Sequence, residues 1–201
     1  MVLKGQFLER PTLIPLPSGL VLEGVSHRGE KRPGLLVLPP PPIEGSGMDH
    51  VIGAELAYAI SRLGHPTLRF NYRGVGGSQG EMSKRPADWL EDAREALKLA
   101  QDNTGGHPAV IATIGASDAV ALQLATETEI AGLAIINPSF ARPSDLSLQR
   151  KWPVGVIVAW EDASQDRGAW AAALERLGGE FTVIPGASRS FQRNLPMVGK
   201  A

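Results

Sequence analysis

The sequence predicts an α/β fold: a doubly wound, mostly parallel sheet with an antiparallel edge hairpin at its N-terminal end. Three observations predict it. Short apolar runs bounded by Gly and Pro alternate with segments of helical periodicity. The runs after residue 34 are apolar throughout, as strands covered on both faces must be. Finally, Pro108 to Ala125 reads as a buried strand, a tight turn and a helix in immediate succession.

Each element has a local reason. Thr12 to Val25 holds two extended runs around Pro17-Ser18-Gly19, and its prolines fit only an edge hairpin. After a polar connection from His27 to Pro33, Gly34 to Leu38 is the first fully apolar run and so a central strand. Pro39 to Pro42 end it. Val51, Ile52, Leu56, Ala59, Ile60 and Leu63 fall at helical spacing, and Gly64 closes that helix. Thr67 to Asn71 is the next strand.

The glycine-rich stretch from Tyr72 to Gly80 follows. Its glycines at 74, 76 and 80 miss the dinucleotide-binding spacing by one residue, and Glu81 to Arg85 does not begin a helix, so no such cofactor is expected. Pro86 to Ala100 is an amphipathic helix with Trp89, Leu90, Ala93, Leu97 and Ala100 on one face. Beyond the strand–turn–helix unit, Ile130 to Ile136 and Val154 to Ala159 read as strands, with an irregular polar stretch from Ser139 to Lys151 between them. Gly168 to Leu177 reads as a helix and Phe181 to Ile184 as the last strand, before a tail with little helical periodicity.

Composition bounds the function. The chain of 201 residues, 43% hydrophobic and 20% charged, suits one domain spanning residues 1–201. A formal net charge of −1 with scattered Lys and Arg gives no basic face for nucleic acid. The absence of cysteine removes disulfides, thiolate metal sites and a cysteine nucleophile. No stretch is long and apolar enough to span a membrane, and residues 1–7 lack a signal-peptide core, so a soluble cytoplasmic protein is expected. Four histidines without helical pair spacing and no D-x-D cluster give no metal site, and no cofactor is expected.

Chemistry gathers at Gly115-Ala116-Ser117-Asp118-Ala119, a G-x-S-x-A pattern between strand and helix. A serine there suits a nucleophile held above the carboxyl edge of the sheet, over a helix N-terminus that favours developing negative charge. The same five residues also fit an ordinary turn with an N-capping serine.

With this turn, the segment from Leu35 to Gly80, including Met48-Asp49 and the block R-F-N-Y-R-G-V-G-x-S-x-G at Arg69 to Gly80, resembles the small lidless α/β-hydrolases. These are serine hydrolases related to dienelactone hydrolases and bacterial esterases. The resemblance implies an α/β-hydrolase fold without a lid domain and with a shortened C-terminus. It makes Ser117 the nucleophile. The triad acid falls in Trp160-Glu161-Asp162-Ala163, where a gapless match meets Ala163, and Asp162, one residue early, is either the acid or a solvated loop carboxylate. At the position of the triad histidine, Gly186-Ala187-Ser188-Arg189-Ser190-Phe191 carries Arg189, a permanently charged group that takes no proton from serine.

Of the four histidines, His65 and His107 precede strands, and His27 lies in an edge connection. His50 falls in a loop on the catalytic edge, either as a base or as a capping or surface residue. The oxyanion donors would be the N–H groups of Asp118 and Ile43, since Pro39 to Pro42 have no N–H to offer. Arg73 and Arg189, if they meet near Ser117, form a cationic pocket for an anionic ligand.

Two functions follow. The first is a hydrolase relative with a defective triad, acting through a small-molecule ligand or a protein partner, a homodimer included. The alternative is an active serine carboxylesterase or thioesterase using Ser117 with His50 or water as base, supported by Asp162 or Glu161.

Overall fold

The computed structural model describes residues 8–139 and 152–201. Strands β1 (Glu9–Pro15) and β2 (Val21–His27) form the expected hairpin, with Glu9 opposite His27 and Ile14 opposite Leu22. β2 runs antiparallel to β4 (Thr67–Phe70). From there the sheet is parallel through β3 (Leu35–Leu38), β5 (Val110–Ile114), β6 (Gly132–Ile136), β7 (Val154–Ala159) and β8 (Glu180–Ile184). The eight-stranded order is β1-β2-β4-β3-β5-β6-β7-β8. Because the chain leaves β3 toward β4 and returns past it to β5, the winding reverses between β3 and β5. Ligand sites in open α/β sheets lie at such a reversal, outside the carboxyl ends of the strands.

The four residues of β3, Leu-Leu-Val-Leu, are all buried because alternate side chains enter two different cores. Leu36 and Leu38 join Ile111, Leu133 and Val156 beneath α2 (Pro86–Asp102), α3 (Asp118–Glu127) and α4 (Arg167–Leu177), which contribute Trp89, Leu97, Val120, Leu124 and Trp170. Leu35 and Val37 join Ala112, Ile114, Ile136 and Ile157 on the opposite face. There α1 (Val51–Arg62) supplies Ile52 and Leu56, and the single turn α5 (Leu195–Val198) supplies Val198. Between these two helices a trough of about 200 Å³ runs over Val110, Ala134, Gly155 and Thr182.

The Arg69 to Gly80 block is a clasp. Arg69, buried in β4, donates to the Met48 carbonyl and to Glu9 Oε1, each at 2.6 Å. Asn71 Oδ1 accepts from the Met48 N–H at 2.7 Å while Nδ2 donates to Glu23 Oε2 at 2.8 Å. Ser78 Oγ accepts from the Glu23 N–H at 2.9 Å and donates to the Asn71 carbonyl at 2.7 Å. Gly74, at φ +70°, is required because a Cβ would lie 2.1 Å from the Met82 nitrogen. The block therefore fastens the β4 loop and the loop that precedes α1 to the edge hairpin.

Two expectations change, and a third is not reached. His27 is not in a connection but ends β2, buried, with Nδ1 hydrogen-bonded to Thr67 Oγ1 at 2.8 Å. The C-terminal tail contains the turn α5, seeded by Pro196 in its first turn. All of the irregular stretch except Ser139 lies outside the described residues.

Candidate active site

At the winding reversal, β5 passes through a 3₁₀ turn, Gly115–Ser117, directly into α3. The bend falls on Gly115, at φ +60°, a conformation costly for any residue with a Cβ. A Cβ on Gly115 would lie 3.4 Å from Oε2 of Glu44. Glu44 ends the 3₁₀ turn Pro42–Glu44, which the proline run sets just beyond β3. A hydrolase nucleophile is presented from a strained strand-to-helix turn of this kind, its oxygen exposed above the sheet. Here that conformation belongs to a glycine, and the carboxylate of Glu44 reaches over it.

Ser117 lies two residues on, already in helical conformation at φ −73° and ψ −8°, and 0% exposed. Its Oγ accepts from the Ile114 N–H at 3.0 Å and lies 3.0 Å from the Ile114 carbonyl and 3.3 Å from the Leu38 carbonyl, its hydroxyl acceptors. The hydroxyl thus ties the turn to β3 and β5, where the sequence suggested an exposed nucleophile. The Asp118 N–H, expected in an oxyanion hole, instead closes the turn on the Gly115 carbonyl. Its carboxylate is buried and accepts from the Ala119 N–H, the Ser139 N–H and Ser139 Oγ at 2.7, 2.7 and 2.8 Å. Burial pushes the Asp118 carboxyl above its usual range; the Ser139 bonds oppose the shift and nearby Glu44 adds to it.

The loops after β6, β7 and β8 meet in a second group. Asp162 is 3% exposed and therefore not a solvated loop carboxylate. Oδ1 accepts from Ser164 Oγ at 2.5 Å, and Oδ2 lies 3.3 Å from Arg189 Nε. The structure thus joins the acid candidate Asp162 to Arg189, which the sequence resemblance sets at the expected histidine position. Asn137, after β6, holds φ +49° and donates Nδ2 to the Arg189 carbonyl at 2.6 Å.

The other candidates lie apart. His50 precedes α1 half-buried, without a side-chain cap bond, and Nδ1 has no partner. Burial lowers its pKa, and among the described residues no hydrogen bond links it to Ser117. Ile43 stands 57% exposed on its turn. Arg73 does not join Arg189 in a cationic pocket: its guanidinium donates to Asp92 Oδ1 at 2.6 and 2.9 Å and to Glu91 Oε2 at 2.6 Å. Among the described residues no three His, Asp or Glu converge as metal ligands, and no helix is long and apolar enough to cross a membrane.

Sequence reasoning missed Gly115, Glu44 and Asn137. For Gly115 the signal was present, a glycine directly at the end of an apolar strand; for Glu44 and Asn137 there was none, because both matter through neighbours distant in the chain.

No protein-family model matches the chain. Over 96 residues, 47% of its length, it is 38% identical to uncharacterized proteins from two strains of Mycobacterium tuberculosis, and it spans about a third (34%) of the length of these curated relatives. Among solved structures it is similar to an alpha-beta serine hydrolase homologue from Coxiella burnetii, with TM-score 0.78, 23% identity, and coverage of 95% of this chain and 94% of the other. A serine hydrolase without lid from Xanthomonas campestris gives TM-score 0.76 at 23% identity, covering 96% and 91%. A dienelactone hydrolase from Anabaena variabilis gives 0.73 at 17%, covering 96% and 93%. With its eight-stranded sheet, its antiparallel β1–β2 edge and these neighbours, the chain has the α/β-hydrolase fold and matches hydrolases without a lid.

Proposed function

We propose that this chain is a non-hydrolytic protein of the α/β-hydrolase superfamily that acts by binding a small ligand or a protein at the carboxyl edge of its sheet. One observation carries the reading: the strained turn residue is Gly115, with no side chain to attack an acyl carbon, while the neighbouring Ser117 hydroxyl is buried and hydrogen-bonded to backbone. Arg189 at the expected histidine position and the Asp118 N–H closing its own turn support the same conclusion.

A second reading, a serine carboxylesterase or thioesterase, is favoured by His50 alone. Its burial keeps the imidazole neutral at physiological pH and so able to accept a proton.

Hydrolysis of short-chain nitrophenyl esters, by the wild-type protein beside Ser117→Ala and His50→Ala, separates the two. The binding reading expects all three at the buffer rate and no labelling of Ser117 by a fluorophosphonate. An enzymatic rate lost in both folded variants, with Ser117 labelled, would establish the esterase.

A further inference from the structure

A cleft of about 910 Å³ opens at the amino edge of the sheet, where β2 ends beside the start of β4. Small-molecule pockets span roughly 300–1,000 Å³, and this volume falls within that range. Arg10 of β1, Ser26 of β2 and Arg28, the residue directly after β2, line it. The register sets Arg10 opposite Ser26, one pair from the end of the hairpin, so all three rise from neighbouring points on two paired strands.

Both guanidiniums are unclaimed. Arg69, Arg73, Arg94 and Arg189 each hold a carboxylate, whereas Arg10 and Arg28 have no ion pair or side-chain hydrogen bond among the described residues. Asn103, the C-cap of α2, also lines the cleft, and a helix C-terminus attracts cations. That end is already satisfied, because the Leu99, Gln101 and Asp102 carbonyls accept from N–H groups of Asn103, Thr104, Gly105 and Gly106. Ser26 Oγ accepts from Thr12 Oγ1 at 2.8 Å, and its own proton has no acceptor among the described residues. The wall that carries Arg28 is rigid: the Glu30 and Lys31 N–H groups both donate to the Gly64 carbonyl at 3.0 Å, and a Cβ on Gly29 would collide with the backbone of His65 and Pro66. A fixed wall lowers the ordering cost of capturing a ligand.

The donors define that ligand. Two planar forks and a hydroxyl exceed the two oxygens of a carboxylate and match the three terminal oxygens of a phosphomonoester. A phosphate group fills only a corner of the cleft. Glu30, also on its lining, repels a second phosphate, and with the Asn103 amide it offers hydrogen bonds to hydroxyl groups. We infer that this cleft binds a sugar phosphate, with its phosphate between Arg10, Arg28 and Ser26 and its hydroxyls on Glu30 and Asn103.

The cleft lies at the opposite end of the strands from Gly115 and Ser117, so the inference goes beyond the reading above and stands apart from the ester assay. Its test is calorimetric titration of the full chain with ribose 5-phosphate and glucose 6-phosphate, beside inorganic phosphate and glucose. Saturable binding of at least one ester is expected, with inorganic phosphate and glucose each about tenfold or more weaker. Arg10→Gln and Arg28→Gln, both at exposed positions, should each weaken that ester by about tenfold or more. Arg62→Gln, at an exposed position on α1, should leave its affinity unchanged. Failure of both esters to bind, a control that binds as tightly, affinity unchanged in either cleft variant, or an equal loss in Arg62→Gln would each overturn the inference.

Discussion

Asp118 shows how one residue changes meaning with its surroundings. In the sequence it follows a candidate nucleophile; in the structure its carboxylate is the buried knot between α3 and Ser139. Burial raises its folded pKa, so the native state holds the Asp118 proton more tightly than the unfolded chain, whose aspartates titrate near about 3.9. The stability linked to that proton is fully present below the unfolded value and is lost as pH rises through the folded one. Relative to Asp118→Asn, the wild-type protein should therefore gain unfolding free energy as the pH falls from neutral toward about 4. Urea unfolding of both proteins across that range checks it, and a flat or opposite difference would remove the assignment.

At the scale of elements, the most specific sequence block works as architecture. Arg73 fastens the glycine-rich loop to α2 through Asp92, whose side chain is fully buried. Burial raises the Asp92 pKa and the Arg73 hydrogen bonds oppose the rise, so the carboxylate depends on this partner. Arg73→Ala leaves a buried charge unpaired and should destabilise by about 3–5 kcal/mol, measured by chemical unfolding. Combining it with Asp92→Asn should recover part of that loss, because the two residues share one interaction. If the single variant costs no more than a surface substitution, the clasp is not what holds this loop. The resemblance to hydrolases was carried by Arg69 to Gly80, and the polar residues described here within it bind the hairpin, the loop before α1, or α2.

Across the whole molecule, cover is uneven. Among the described residues three helices pack on one face, while on the other α1 and the single turn α5 flank the trough that crosses Ala134 and Gly155. A Cβ added at Gly155 meets nothing within 4 Å, and its φ is not positive. Gly155→Ala should therefore stabilise by about 0.5 kcal/mol through the unfolded chain's lost freedom, raising Tm by about 1–2 °C. Gly24→Ala is the contrasting case, because its Cβ would come within 2.9 Å of the Arg69 carbonyl oxygen, and Tm should fall. A thermal melt of the pair reads both signs at once.

The sequence by itself determined the alternation of strands and helices, the edge hairpin and the two-faced apolar strands. These follow from periodicity, Pro and Gly placement and burial, all local properties of the chain. It also located the strand–turn–helix unit. The glycine at the end of the apolar strand hinted at the bend, but the burial of Ser117 was decided only by tertiary structure. The positive φ falls on the glycine, and Ser117 is drawn inward by carbonyls of two strands, one of them contributed by Leu38 far back in the chain. The meeting of Asp162, Asn137 and Arg189 was decided the same way, because three loops become neighbours only when β6, β7 and β8 lie side by side in the sheet.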